Sequence, residues 1–125
     1  MRFMMLMIPE VYQGGTAPAD FAPPADAIAE MGKYNDAMEK AGILLSLDGL
    51  TPPVSGARVS FATGKPIVTD GPFAETKEVL GGYWIIKVKS REEAIDWARR
   101  CPAAKGDVIE IRRIFDPEDF GPQAA

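Results

Sequence analysis

Apolar residues run without a break from Phe3 to Ile8, the pattern of a strand covered on both faces. Pro9 and Glu10 end the run, and residues 9–24 are rich in glycine, proline and alanine. That stretch reads as a long loop, of a length suited to a lid, the rim of a cleft or a mobile insertion. From Ala25 the period becomes helical. Ile28, Met31, Tyr34 or Asn35, Met38 and Ala41 recur at three- and four-residue intervals and predict a buried stripe. Pro24 near the start, Asp26 in the first turn and Gly42 past the end bound this helix at Ala25–Lys40. Ile43 to Leu47 reads as a second strand, closed by Asp48-Gly49 and stopped by Pro52-Pro53.

Residues 57–69 predict a hairpin: Ala57 to Ala62 alternates, Thr63 to Pro66 turns, and Ile67 to Thr69 returns. Tyr83 to Lys89 carries the strongest strand pattern. It places Trp84, Ile86 and Val88 on one side and Tyr83, Ile85 and Lys87 on the other. Ser90-Arg91-Glu92-Glu93 is a capping box, opening a second helix that runs to about Cys101 before Pro102. Ala94, Ile95, Ala98 and Cys101 form its expected buried face. Val108 to Ile114 is the last strand, followed by a proline- and glycine-bearing tail expected to fray.

The order strand, helix, strand, hairpin, strand, helix, strand predicts an α+β fold. We expect a ferredoxin-like two-layer sandwich: an antiparallel sheet, two helices on one face and an inserted β-hairpin. The 125 residues suit one domain with a core over about residues 2–115. Two helices cover one sheet face, yet the first strand is apolar on both and Tyr83 and Ile85 lie opposite Trp84 and Ile86. A second copy of the chain is the simplest cover, so a two-fold homodimer is expected.

Charge and composition narrow the function. The net charge is −4, and Arg112-Arg113 sits in a strand pattern rather than a basic stripe, so no nucleic-acid partner is expected. The opening apolar run is too short for a signal core or a membrane span, which predicts a cytoplasmic protein without a membrane partner. A single cysteine, Cys101, excludes an intramolecular disulfide and reads as packing. There is no histidine, which removes the usual neutral-pH base and the histidine-based triads.

Candidate chemistry centres on two places. In the last strand Glu110 and Arg112 alternate with Ile109 and Ile111. With the isoleucines toward the helices, the charged pair joins Lys87 and Tyr83 on the other face, either as interfacial ion pairs or as a cleft for a small polar or anionic molecule. The second place is Asp70, which opens an Asp-Gly-Pro turn. Its carboxylate suits two roles: holding the turn through backbone N–H groups, or acting as a general base once burial raises its pKa. Phe73 anchors that loop or forms a pocket wall. Glu75, Lys77 and Glu78 form a mixed-charge run, and Asp70, Glu75 and Glu78 match no specific metal-ligand spacing. No metal or cofactor is expected. Gly81-Gly82 lacks the lysine and hydroxyl of a phosphate-binding loop and reads as permitting either a sharp entry to the strand or the close approach of two backbones.

Asp70-Gly71-Pro72-Phe73-Ala74-Glu75-Thr76-Lys77-Glu78, followed by Leu80-Gly81-Gly82-Tyr83, resembles the signature of the DGPF-domain proteins of the YCII-related family. The methionine-rich first strand, Gly49-Leu50-Thr51-Pro52-Pro53, and the helix with Glu93-Ala94 and Trp97 before Cys101-Pro102-Ala103 resemble it too. The resemblance implies a homodimer of the dimeric α/β-barrel group with a cleft near the sheet interior. It also implies an acid–base site of a histidine and an aspartate. Asp70 matches that aspartate, but this chain has no histidine to partner it. Some relatives are associated with extracytoplasmic-function sigma factors, which implies a regulatory context. The expected function is a dimeric small-molecule-binding or accessory protein with a cleft near Asp70, lined by Phe73, Tyr83, Lys87, Glu110 and Arg112. The alternative is a small isomerase- or lyase-type enzyme using Asp70 for proton transfer. A structural or protein-interaction role is the third possibility.

Overall fold

The computed structural model describes residues 1–15, 17–71 and 78–122. Eight regular elements follow one another: β1 (Arg2–Ile8), α1 (Ala25–Lys40), β2 (Leu44–Gly49), β3 (Ala57–Ser60), β4 (Ile67–Asp70), β5 (Gly82–Lys87), α2 (Arg91–Arg99) and β6 (Val108–Arg113). Four of the strands form one antiparallel sheet in the order β2-β5-β1-β6, while β3 and β4 form a separate two-stranded sheet. The fold is therefore α+β, an antiparallel sheet with two helices.

Alternation along the central strands sets the layers. Phe3, Met5 and Met7 of β1 and Trp84 and Ile86 of β5 are buried, and they join Tyr34 and Met38 of α1 and Ala94 and Trp97 of α2 in one cluster. Both helices thus lie against the same sheet face. Tyr34 stands edge-on to Trp84 with ring centroids 5.9 Å apart, an arrangement aromatic quadrupoles favour. Two hydrogen bonds satisfy the polar ends of the aromatic core. The Trp84 indole N–H donates to Asn35 Oδ1 at 2.8 Å, and the Tyr34 hydroxyl donates to the Trp97 carbonyl at 2.7 Å. So Tyr34 faces the core while Asn35 at its edge closes the indole.

The capping box forms with a small offset. Glu93 N–H donates to Ser90 Oγ at 3.1 Å, while the Glu93 carboxylate reaches past the cap to Lys89 N–H at 2.9 Å. Several expected core positions differ, Ala41 at the end of the α1 stripe among them, which is exposed. Ile28 is 56% exposed, because the first turn of α1 extends beyond the buried stripe of Tyr34 and Met38. In α2 the buried positions are Ala94 and Trp97, with Ile95 and Ala98 only half-buried. The wide indole of Trp97 turns the inner face of the helix toward itself, and the Arg100 guanidinium lies 3.9 Å over its ring.

Beyond β6, Asp116 and Asp119 cap a short 3-10 turn at Pro117–Phe120 reciprocally. Arg113 donates to both carboxylate oxygens of Asp119, at 2.9 and 3.0 Å. These bonds and the Asp116 N–H hold the Asp119 carboxyl below the usual carboxylate range.

The burial difference gives a paired test. Ile86→Ala should cost about 2–5 kcal/mol by opening a cavity at a fully enclosed position, whereas Ile28→Ala should stay within about 0.5 kcal/mol. Urea unfolding followed by circular dichroism measures both.

Candidate functional site

The sheet face turned away from the helices carries the polar groups. By alternation it presents Arg2, Met4, Leu6 and Ile8 from β1, Tyr83, Ile85 and Lys87 from β5, and Glu110 and Arg112 from β6. Strand register orders them into rows about 6.8 Å apart. One row runs Asp48, Tyr83, Leu6, Glu110; the next runs Ser46, Ile85, Met4, Arg112; the third sets Lys87 against Arg2. Met4, Leu6, Ile8 and Ile85 are half-buried by their neighbours alone, which makes an apolar floor.

Polar groups border that floor in pairs. The Tyr83 hydroxyl donates to Asp48 Oδ2 at 2.7 Å, across the β5–β2 pairing. Arg112 Nη1 and Glu110 Oε2 are 3.3 Å apart, two residues along one strand. Arg2 donates to the Phe115 carbonyl at 2.9 Å and approaches Asp116 Oδ1 at 3.5 Å. Lys87, directly opposite Arg2, makes no ion pair among the described residues. Two cations face each other there, and like charges across a strand pair repel unless an anion intervenes. Acids gather at one end of the face and cations at the other.

The acidic end is also where the long connections meet. Gly81 sits where a Cβ would press on the Pro9 ring at 2.5 Å, its N–H donates to Met7 O at 2.8 Å, and its carbonyl accepts from Leu50 N–H at 3.0 Å. At Gly82 a Cβ would lie 3.0 Å from the Asp48 carbonyl oxygen, so two backbones approach closely there, whereas Gly81 makes room for the Pro9 ring. Gln13 clamps the same corner: its amide oxygen accepts from Val79 N–H at 3.2 Å and its amide nitrogen donates to Pro9 O at 2.6 Å. Tyr12, Ala17 and Val79 form a second small core there, with Phe21 edge-on to Tyr12. The Tyr12 hydroxyl donates to Leu50 O at 2.8 Å, tying in the segment after β2.

Of the six candidate residues, the structure brings Tyr83, Lys87, Glu110 and Arg112 onto one face. Asp70 stands apart, exposed at the end of β4 and paired with Ala57 in the two-stranded sheet. Among the described residues its carboxylate has no hydrogen-bond partner. Gly71 next to it donates its N–H to Gly56 O at 2.8 Å, and a Cβ there would overlap the Pro53 carbonyl. Phe73 lies outside the described residues, as do Glu75 and Lys77. Asp48 is the site residue that sequence reasoning missed. It reads as the close of a strand, and only the cross-strand register shows it facing Tyr83.

The YCII-related domain matches residues 1–118, nearly the whole chain. The chain belongs to the YCII-related family. It is also 45% identical over 60 residues to an uncharacterized protein of Rhizobium meliloti (strain 1021), an alignment covering 48% of each chain. This YCII-related protein thus spans about half of that relative in the matched region. Among the described residues, no helix is long and apolar enough to cross a membrane.

Cys101 lies apart from the open face, at the end of α2 beside an open groove lined by Ile95, Ala98, Ile109 and Ile111. Burial, then the Asp107 carboxylate, pushes its thiol from the ordinary 9.0 up to about 11. Burial also pushes the Tyr34 phenol up strongly, with the neighbouring Cys101 adding to it. Raised values mean that the folded state keeps these protons while the unfolded chain releases them. The stability carried by the Cys101 thiol is therefore full below about pH 9 and falls as pH rises through the window from 9 to about 11, while that carried by Tyr34 begins to fall only above its ordinary 10.0. Cys101→Ala should flatten that alkaline decline in melting temperature, and the native thiol should react slowly with a thiol reagent near neutral pH until denaturant is added.

Proposed function

We propose that this YCII-related protein is a cytoplasmic homodimer that binds a small, partly apolar molecule bearing an anionic group, in an accessory or regulatory role. The observation that carries this reading is the open sheet face: an apolar floor of Met4, Leu6 and Ile85 bordered by Tyr83–Asp48, Glu110–Arg112 and Lys87, with no cover from its own helices. Wet apolar surface is unfavourable by about 25 cal/mol per Å², so a large uncovered face favours association. A second copy laid sheet to sheet completes a ferredoxin-like assembly of the dimeric α/β-barrel type, with the floor of each copy roofing the other.

The chemistry of the border sets the ligand class. Lys87 and Arg112 suit a carboxylate or phosphate, the floor suits a short hydrocarbon or ring, and the Asp48-bonded Tyr83 hydroxyl offers an acceptor to a ligand hydroxyl. The exposure of Asp70 in the single chain favours binding over proton transfer by that residue, since a general base near neutral pH needs a sheltered carboxylate.

A thermal-shift screen of small carboxylates, phosphates and their neutral amide or alcohol analogues tests the ligand class. Acids with an apolar body should raise the melting temperature and the neutral analogues should not. Lys87→Ala and Arg112→Ala should each weaken binding about tenfold, or about 1.4 kcal/mol. Stabilisation by neutral analogues as strong as by the acids would rule out the anion site.

A further inference from the structure

The β3–β4 hairpin is an arm without a body. All eight of its strand residues are exposed, and its two strands pair with each other rather than with the main sheet. The Val59 and Val68 side chains stand opposite one another on one face while Ile67, paired with Ser60, lies on the other, and Phe61 follows β3 with 67% of its surface accessible against 65% for Val68. An isolated two-stranded hairpin is at best marginally stable in water, and it gains independent stability from further strands or from packing its apolar face on another element. Yet the base of the arm is firmly built. Pro52 is fully buried, the Ser55 hydroxyl donates to the Pro52 carbonyl at 2.9 Å, and Gly71 closes on Gly56 and Pro53. The arm is held at its root and bare along its length.

We propose that this arm clasps a second copy of the chain, each protomer's Val59–Val68 face packing on the body of the other. The claim rests on the homodimer reading above and adds to it a second contact, made by a different element. Two observations select the second copy as the occupant. The chain exposes 8586 Å², whereas a compact monomer of 13.5 kDa exposes about 6,500 Å². Taken over the whole chain, a surplus of about 2,000 Å² is enough to supply the roughly 800 Å² per partner of a standard interface. Charge does not oppose this occupant: Arg58, Lys65 and Asp70 give the arm a formal net charge of +1, on a chain whose total is −4. Symmetry agrees, because a reciprocal exchange covers both arms at once and closes at two copies.

Sedimentation equilibrium of the native protein, the Val59→Lys/Val68→Lys double variant and a Met4→Glu variant provides the test. Amide hydrogen exchange of the native protein at high and low concentration accompanies it. The expected result is a native dimer that both variants weaken at least tenfold. The amides of residues 57–60 and 67–70 should lose protection on dilution while β1 and β5 keep theirs. A native dimer that only Met4→Glu weakens, with arm amides indifferent to dilution, would overturn the clasp and leave the sheet-face contact standing. A native monomer at every concentration would overturn both. The exchange measurement uses unmodified protein, so it decides the matter even where a lysine variant fails to fold.

Discussion

The structure depends on one mismatch between two layers. The sheet buries one face beneath α1 and α2, and β1, at its centre between β5 and β6, is apolar on both. Met5 and Ile86 on the inner side are completely enclosed, while Met4, Leu6 and Ile85 on the outer side reach only half-burial. Helices cover their own side well because Trp84 and Trp97 fill the space between layers, each with a polar tip or a cation attended to. Nothing comparable lies over the other side among the described residues. The arrangement of charges, the placement of Tyr83 and the reach of the connections all follow from which way each strand residue turns on that sheet.

Much of this was legible in the residues themselves. Alternation in β5 assigned Trp84 and Ile86 to one side and Tyr83, Ile85 and Lys87 to the other, and Ile109 and Ile111 oriented Glu110 and Arg112 in the same way. Period two is a strong signal when both neighbours of a strand agree with it. Helical period was less exact. Ile28 fits the stripe of α1 but sits before the point where the helix meets the core, and periodicity reports direction without reporting extent. Trp97 suits a core or interface anchor by its size alone and is buried in the main cluster, although the stripe of Ala94, Ile95, Ala98 and Cys101 lies to one side of it.

Other features were hidden for physical reasons. Asp48 looked like punctuation at the end of a strand, since its role arises from register with Tyr83 across two strands distant in sequence. The hairpin was visible in its turn and alternation, but not its separation from the main sheet, because paired and unpaired ribbons share one local pattern. Gln13 gave no signal at all: a polar residue in a long loop, it nevertheless ties Val79 and Pro9 together. The signature segment is consequently fastened on either side, by Gly71 at the arm and by Val79 to Gly81 at the sheet.

The grading of charge along the outer sheet face has a further consequence. Asp48 and Glu110 occupy one extremity, Lys87 and Arg2 the opposite one, with strands running between them. Stacking two such surfaces in the same sense would set acid upon acid and base upon base. Reversing one relative to the other brings unlike extremities together, which requires a rotation axis lying crosswise to the strands. For two copies paired across this face, those four side chains favour the reversed direction before a single apolar atom touches.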